Sequence, residues 1–148
     1  MLLIAVGKLR PGPERTLFDR YAVRLRPKLD VREVSDAPGS PQEAKRREGA
    51  RILAALPSDA LAVALDLGGQ SLTSEGLAAQ LARWYEQPHP LAFMIGGAEG
   101  LSGPVLDRAA FRLALGPLTW PHMLARILLI EQLYRAQTIL AGHPYHRG

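Results

Sequence analysis

Two short apolar runs, each followed by a pair of glycines, constrain the fold of this chain most strongly. Residues 60–67 are apolar except for Asp66, and residues 91–95 are apolar throughout. A Gly-Gly pair follows each run, at residues 68–69 and 96–97, and the first pair is predicted to turn the chain. Continuous apolar runs of this length predict strands buried on both faces, as in parallel sheets covered by helices.

Strand and helix patterns alternate along the rest of the chain. An apolar run at residues 2–6 predicts a first strand, and residues 31–34 predict a short, charged strand at the periphery. Helices are predicted from Pro13 to about residue 28, from N-cap Ser40 and Pro41 to before Pro57, from N-cap Ser74 to before Pro88, from Ser102 to before a strand at 111–115, and from Pro121 to about residue 140. This order predicts one α/β domain over residues 1–148, with a parallel-type sheet and helices on both faces.

Composition excludes several classes of function. The 148 residues include no Cys, which excludes disulfides and thiolate zinc sites, and the four His residues lack metal-ligand spacing, so no metal is expected. No Ser lies in a nucleophile elbow, which argues against a Ser hydrolase. No apolar run is long enough to span a bilayer, and the apolar start is too short for a signal peptide. We therefore expect a cytoplasmic protein with no membrane partner.

Positive charge is concentrated in the first third of the chain. Residues 1–51 carry twelve Lys or Arg against seven Asp or Glu, whereas residues 52–148 carry six against seven. Such a basic segment indicates an anionic partner such as nucleic acid. A solvated helix face explains the same charges, and Lys45, Arg46 and Arg47 alone do not decide between the two.

Three loops are predicted at one edge of the sheet, because ligands of such sheets bind outside the carboxyl ends of the strands. They are residues 66–70, 96–100 and 116–120. Paired glycines let backbone groups approach a ligand, so a side chain at Gly96 should obstruct it, although a plain tight turn is the alternative. Residues 96–100 have neither the Rossmann spacing nor the Lys of a Walker A loop. The expected ligand is a nucleoside without a polyphosphate.

The last helix and the segment after it carry side chains suited to catalysis or RNA binding. Residues 143–147 contain two His, a Tyr and an Arg, which can move protons, bind phosphate and stack on bases. A helix stop followed by leftover polar residues is the alternative. His122 begins the last helix, where the dipole disfavours a charged imidazole, and Arg126 lies one turn later. Glu131 and Arg135 are interpreted as a solvated salt bridge.

Four motifs stand in the order in which one protein family has them. They are MIGGAEGLS (residues 94–102), LTWPH (118–122), EQLYRA (131–136) and HPYHR (143–147). The chain resembles the RlmH family over essentially its whole length. Its members are SPOUT-class methyltransferases that modify N3 of pseudouridine in 23S rRNA of the large ribosomal subunit. Ala98 stands where many members have Pro, and Trp120 where Leu or Phe is common.

The resemblance implies an α/β knot, in which the C-terminal segment threads through a loop to form a trefoil. It also implies S-adenosylmethionine as the cofactor, held at the knot. By position, the expected cofactor-binding residues are Leu65, Gly96, Leu115, Gly116, Pro117, Leu118, Thr119 and Trp120.

The resemblance further implies a homodimer in which the partner completes each active site, with 23S rRNA within the ribosome as substrate. The apolar character of the last helix, at Leu124, Ile127, Leu128 and Leu133, favours the dimer as well. Lys8 and residues 45–47 would hold rRNA phosphates, with an affinity that falls as salt rises.

The acceptor chemistry and the resemblance together indicate the catalytic residues. N3 of a uracil-type ring must lose its proton, or have its anion stabilised, before it accepts a methyl group. Arg135 and Arg147 are candidates to stabilise the anion and bind RNA phosphate. His122, Tyr145 and His146 are candidates for proton transfer, and nothing in the sequence selects one base. A non-catalytic RNA-binding factor with the same fold is the competing interpretation.

Overall fold

A five-stranded parallel sheet forms the centre of the computed structural model, which describes residues 1–146. Its strands are β1 (Leu2–Val6), β2 (Asp30–Val34), β3 (Leu61–Ser71), β4 (Leu91–Ile95) and β5 (Phe111–Ala114), in the spatial order β2-β1-β4-β3-β5. The helices are α1 (Pro13–Ala22), α2 (Pro41–Ala55), α3 (Ser74–Tyr85), α4 (Gly103–Arg108) and α5 (His122–Leu140). The predicted alternation and the parallel sheet are confirmed.

Helices cover both faces of the sheet, as the apolar runs predicted. Every residue of β1 and β4 is buried. On one face, side chains such as Leu3 and Phe93 pack with residues of α1, α3 and α5. On the other face, Ile4 and Met94 pack with residues of α2 and α4. Close-packed protein interiors deform little. This two-sided core therefore holds the carboxyl ends of the strands, and the loops after them, in fixed positions.

Gly68 and Gly69 do not turn the chain, so that prediction is wrong. β3 runs through both residues, and its pairing with β5 shifts register at this point. The Gly68 N–H donates to the Asp66 carboxylate at 3.1 Å. A Cβ at Gly69 would lie 2.7 Å from backbone atoms of Arg112, so only glycine lets the two strands approach this closely. The pair therefore forms a bulge within the sheet.

α1 ends at Ala22, earlier than the sequence pattern predicted. Pro27 has no N–H to continue a helix and disfavours the helical conformation at Arg26 before it. Leu25, the last apolar position of the pattern, is nevertheless fully buried. Leu17, the first apolar position of the pattern, is exposed, and the buried residue of α1 is Phe18. The periodic pattern therefore identified the helix but neither its end nor all of its buried face.

Side-chain capping fixes where two helices begin. Ser40 caps α2, as predicted, and exchanges hydrogen bonds with Glu43 in a capping box that was not predicted. α3 is capped by Thr73 rather than by Ser74, because the Thr73 hydroxyl accepts a backbone N–H at 3.0 Å. The Ser74 hydroxyl instead donates to the Gln132 side chain of α5 at 2.9 Å. That bond links the start of α3 to α5.

After β5 the chain enters α5, which packs against both α1 and α3. The threading of this segment through a loop, which the resemblance implies, stays a prediction. Within residues 1–146, no helix combines the length and apolar character needed to cross a bilayer.

Replacing Gly69 with Ala is expected to destabilise the fold by about 1–3 kcal/mol, because the new methyl group would overlap the backbone of β5. Gly103→Ala is the matched control, since a Cβ there meets nothing within 4 Å. Urea unfolding followed by circular dichroism, at one protein concentration, compares the two variants with wild type. Equal unfolding midpoints for Gly69→Ala and Gly103→Ala would contradict the bulge as described.

Candidate active site

The carboxyl ends of β3, β4 and β5 border a cleft of about 340 Å³. All three predicted loops contribute to it, so the sheet edge brings together segments that are distant in sequence. The residues predicted to bind a cofactor that line the cleft are Leu65, Gly96, Leu115, Gly116, Leu118, Thr119 and Trp120. Pro117 is exposed and does not line it. A cleft of this volume accommodates a nucleoside-sized ligand.

The loop that contains Gly96 leaves no room for a side chain at this position. A Cβ at this position would lie 2.5 Å from the carbonyl carbon and oxygen of Gly100. The loop closes on itself through a bridge between Gly97 and Gly100, with a hydrogen bond of 3.1 Å. A larger residue at Gly96 would therefore displace the loop before it could obstruct a ligand. The obstruction of a ligand by a side chain at Gly96 stays a prediction, and the displacement of the loop adds to it.

The loop after β5 presents an apolar rim to the cleft. Gly116 has a φ of +89°, a left-handed conformation that favours glycine. The Trp120 indole N–H donates to the Leu115 carbonyl at 3.1 Å and closes the loop. Leu118 and Trp120 remain 65% and 40% exposed. A loop fixed in this way offers backbone groups and apolar side chains to a planar ring.

His122 lines the cleft at the first turn of α5. Burial lowers the pKa of its imidazole, the positive charge of Arg126 lowers it further, and the carboxylates of Asp36 and Glu48 oppose both effects. The net direction is downward, in agreement with the effect predicted from the helix dipole. The ring is therefore neutral near neutral pH and able to accept a proton.

Glu48 is a buried carboxylate beside the cleft that sequence reasoning missed. Its side chain accepts the Ala37 N–H at 3.0 Å, and its other oxygen lies so close to Gly97 that a Cβ there would be 2.8 Å away. Gly49 follows it in α2, and a Cβ there would overlap the Ser102 side chain. A glycine inside a helix often marks close packing, and Gly49 was the available indication that this face of α2 is buried.

Arg126 is the largest fully buried side chain among the described residues, with 1% of it exposed. Its guanidinium donates to the carbonyls of Val6 and Gly7 and to the Glu33 carboxylate at 3.2 Å. Burial lowers the pKa of this guanidinium, and Glu33 partly offsets the effect. The sequence placed Arg126 near His122 but gave it no role. It anchors α5 to the carboxyl end of β1.

A second polar cluster lies further along α5, around Glu131. The Glu131 carboxylate accepts from Arg135 at 2.6 Å and from the Tyr145 hydroxyl at 3.0 Å. The Glu131 and Arg135 side chains are only 17% and 27% exposed, so the interpretation as a solvated salt bridge is wrong. The Arg135 guanidinium also lies over the Tyr145 ring, 5.0 Å from its centroid. The C-terminal segment is thus docked on α5.

The docked conformation defines what the tail side chains can do. Burial raises the pKa of the Tyr145 phenol well above its usual value, and its hydrogen bonds with Tyr21 and Glu131 raise it further. In this docked form the Tyr145 phenol is therefore neutral and donates to Glu131. Its role in proton transfer stays a prediction. His146 Nε2 lies 2.8 Å from the Glu75 carboxylate of α3. Arg147 lies outside the described residues.

The cleft and the tail cluster are separate in one chain. Among the predicted catalytic residues, His122 lines the cleft, whereas Arg135, Tyr145 and His146 do not. His122 and Arg135 are thirteen residues apart on one helix, which corresponds to about 20 Å. Within residues 1–146, no group of His, Asp and Glu side chains has an arrangement that could hold a metal ion.

Parallel α/β sheets with glycine loops around a nucleoside-sized cleft are typical of α/β proteins that bind nucleosides. This chain has that arrangement. The sequence matches the family described as "Predicted SPOUT methyltransferase" over residues 1–146. The chain belongs to this family, and the resemblance inferred from its motifs is confirmed.

Individual relatives agree with this membership. The chain is 58% identical to "Ribosomal RNA large subunit methyltransferase H" of Gluconacetobacter diazotrophicus, covering 100% of this chain and 97% of that protein. It is 55% identical to the protein of the same name from Acidiphilium cryptum, covering 99% and 92%. The structure of TrmJ from Z. mobilis ZM4 is similar in fold, with a TM-score of 0.53 and 20% identity over 93% of this chain and 70% of that one.

Glu48→Gln is expected to lower the pKa of His122 below its wild-type value, because the substitution removes a negative charge that favours the imidazolium. Glu99→Gln is the matched control, since Glu99 lines the cleft but does not act on His122. NMR titration of the imidazole Cε1–H signals measures both, with exposed His89 as an internal reference. An unchanged or raised pKa of His122 in Glu48→Gln would show that the electrostatics of the cleft differ from this description.

Proposed function

We propose that this chain is a cytoplasmic, homodimeric enzyme that transfers a methyl group from S-adenosylmethionine to N3 of a pseudouridine in 23S rRNA of the large ribosomal subunit. The observation that carries the proposal is the cleft, where a neutral His122 faces three strand-end loops within a SPOUT-family chain. The printed names of the relatives, which denote large-subunit rRNA methyltransferases, support the substrate class.

The donor set of the cleft fits S-adenosylmethionine. Gly97 and Gly116 expose backbone groups to a ribose or adenine, and Leu118 and Trp120 supply apolar contact. Asp66, Glu99 and Lys45 also line the cleft, and two carboxylates against one ammonium disfavour a polyphosphate there. A nucleoside that carries a positively charged sulfonium instead of phosphates matches this electrostatic environment. The cofactor would supply the methyl group.

His122 is the side chain in the cleft best suited to take the acceptor proton. Its lowered pKa leaves the imidazole unprotonated and ready to accept the N3 proton as the methyl group is transferred. Arg135 and Arg147 would stabilise the negative charge that develops on the ring or hold the adjoining phosphate. His146 would assist once the tail leaves Glu75, since its ring nitrogen is engaged there in the docked form.

The homodimer is proposed because one chain holds the two halves of the site apart. Of the four apolar residues of α5 that favoured a dimer, Ile127 and Leu133 are buried in the chain's own core. Leu124 is 41% exposed, and Leu128 lines a cavity of about 310 Å³ next to Trp120. A second copy seated on this apolar stripe would bring its tail towards the cleft. Light scattering at micromolar concentration would detect the dimer.

The basic first third would hold the rRNA. Lys8 and Arg46 are exposed, and Lys45 lines the cleft itself. Arg47 and Arg51 are less available for RNA, because they donate to backbone carbonyls in the segment between β2 and α2. Lys8, Lys45 and Arg46 are the residues available for phosphates.

Ala98→Trp is expected to weaken S-adenosylmethionine binding at least about tenfold, because the indole would fill part of the cleft. Ala98 is exposed and does not have a positive φ, so the larger side chain does not strain the loop. Ala54→Trp, on the exposed surface of α2, is the matched control and should bind as wild type does. Calorimetry measures all three. Absence of binding by wild type would overturn the proposed function, and full binding by Ala98→Trp would move the site elsewhere.

Deleting residues 143–148, or replacing His146 with Ala, is expected to abolish most methyl transfer to pseudouridine-containing ribosomes. Cofactor affinity should stay within about threefold of wild type, because no residue of 143–146 lines the cleft. His89→Ala, at an exposed imidazole in the loop before β4, is the matched control and should retain activity. Incorporation of a radiolabelled methyl group provides the readout. A fully active truncated protein would show that the tail is only a helix end.

A further inference from the structure

A groove of about 690 Å³ lies between α1 and β2, larger than the cleft at the strand ends. None of the described residues lines both cavities. The groove runs over the edge strand of the sheet, on the face that α1 and α5 cover. The proposed methyl transfer at the cleft makes no use of it.

The rim of the groove is positively charged. Arg15, Arg26 and Lys28 line it, with Asp19 and Glu33 as the carboxylates. Both carboxylates are engaged, because Asp19 pairs with Arg15 at 3.0 Å and Glu33 accepts a backbone N–H at 2.7 Å. Within residues 1–146, the Lys28 ammonium has no hydrogen-bond or ion-pair partner. The groove therefore has positive charge available for an anion.

Apolar side chains form the remainder of the groove. Leu9, Phe18 and Leu29 are buried at its floor. Val23 and Val31 also line it and remain 70% and 38% exposed. An apolar surface beside a free ammonium group suits a ligand that is both anionic and flat-faced, such as a nucleotide.

Arg126 lies at the inner end of the groove and supplies an independent indication of a ligand. Its Nε is buried and has no hydrogen-bond partner among the described residues, although its other nitrogens are bonded. A buried donor without an acceptor is unfavourable, and an acceptor oxygen of a bound ligand would satisfy it. Arg126 also lies one helical turn from His122, so this end of the groove is adjacent to the proposed site of methyl transfer.

We propose that the groove between α1 and β2 binds single-stranded nucleotides of the substrate rRNA that flank the methylated residue. Lys28 holds a phosphate at the rim, and the face of a base lies on Val23 and Val31. This inference rests on the proposed function for the identity of the RNA. It adds a second RNA contact site, apart from the cleft and from the tail.

RNA is the occupant that the charges favour. The proposed substrate is a polyanion, and the unpaired ammonium of Lys28 at the rim suits one of its phosphates. The groove adjoins the first turns of α5, which places its occupant next to the nucleotide at His122. A protein segment bound in the groove is the other outcome that the experiment distinguishes.

The experiment compares Lys28→Glu with Arg20→Glu. Both substitutions change the net charge equally, but Arg20 is exposed on α1 and does not line the groove. Binding of a short, fluorescently labelled, single-stranded oligouridine is measured without cofactor over a range of salt concentrations. Lys28→Glu is expected to weaken binding about tenfold and to reduce the slope of log Kd against log salt by about one, with Arg20→Glu within about twofold of wild type.

Methyl transfer to ribosomes provides the second readout. Lys28→Glu should raise KM for ribosomes and leave kcat and S-adenosylmethionine affinity unchanged. Equal oligouridine binding by the two variants would overturn the proposal. If Lys28→Glu then still raised KM, the groove would bind a ribosomal protein instead. A wild-type protein that transfers no methyl group would defeat the proposed function, while oligouridine binding would still decide the role of the groove.

Discussion

The buried guanidinium of Arg126 is the contact on which the arrangement of the site depends. It donates to two carbonyls at the end of β1 and to Glu33 next to them, so it fixes the start of α5 against the strand ends. Removing one partner of such a buried, charged contact typically costs about 3–5 kcal/mol, because the remaining groups stay buried without partners. Burial lowers the pKa of His122 one turn earlier, and the charge of Arg126 lowers it further. Arg126 thus fixes the position of the cleft histidine and adds to the effect of burial on its protonation.

Because α5 is anchored at this end, its length sets the distance between the two halves of the proposed site. The cleft lies at the first turn, and the Glu131 cluster that docks the tail begins more than two turns later. A rigid helix cannot fold back to close this gap within one chain. The separation explains why a tail rich in catalytic side chains is held against Glu75 and Glu131 rather than at the cleft. It favours an active site built from two chains.

Local sequence patterns predicted most of the fold. The apolar runs identified β1 and β4, because a strand buried on both faces consists of consecutive apolar residues. Ser40 with Pro41 located the start of α2, because a capping residue lies next to the helix that it caps. The motifs also identified the loops that line the cleft. Gly68 was misinterpreted, because a glycine pair required by a bulge has the same sequence pattern as one required by a turn.

Residues whose roles depend on distant contacts could not be predicted. Glu48 is one of several charged residues of α2, and Arg126 is one of the few in the apolar helix α5. Only the packing of α2 beside Gly97 and of α5 on β1 makes them buried. The Glu131–Arg135 pair has the spacing of an ordinary surface salt bridge. Its burial comes from Tyr145, which returns to α5 after the helix has ended. The functional residues of the tail could be identified from the sequence, but the residues that they contact could not.

Mixing two inactive chains tests the composite site most directly. One chain lacks residues 143–148 and keeps its cleft, and the other carries Ala98→Trp and keeps its tail. Each forms inactive homodimers if a site needs the cleft of one chain and the tail of the other. If each site is shared in this way, an equal mixture that is exchanged and shown by native mass spectrometry to contain heterodimers should recover about a quarter of wild-type methyl transfer. Half of the dimers then hold one intact site. Confirmed heterodimers without activity would show that each tail serves its own chain.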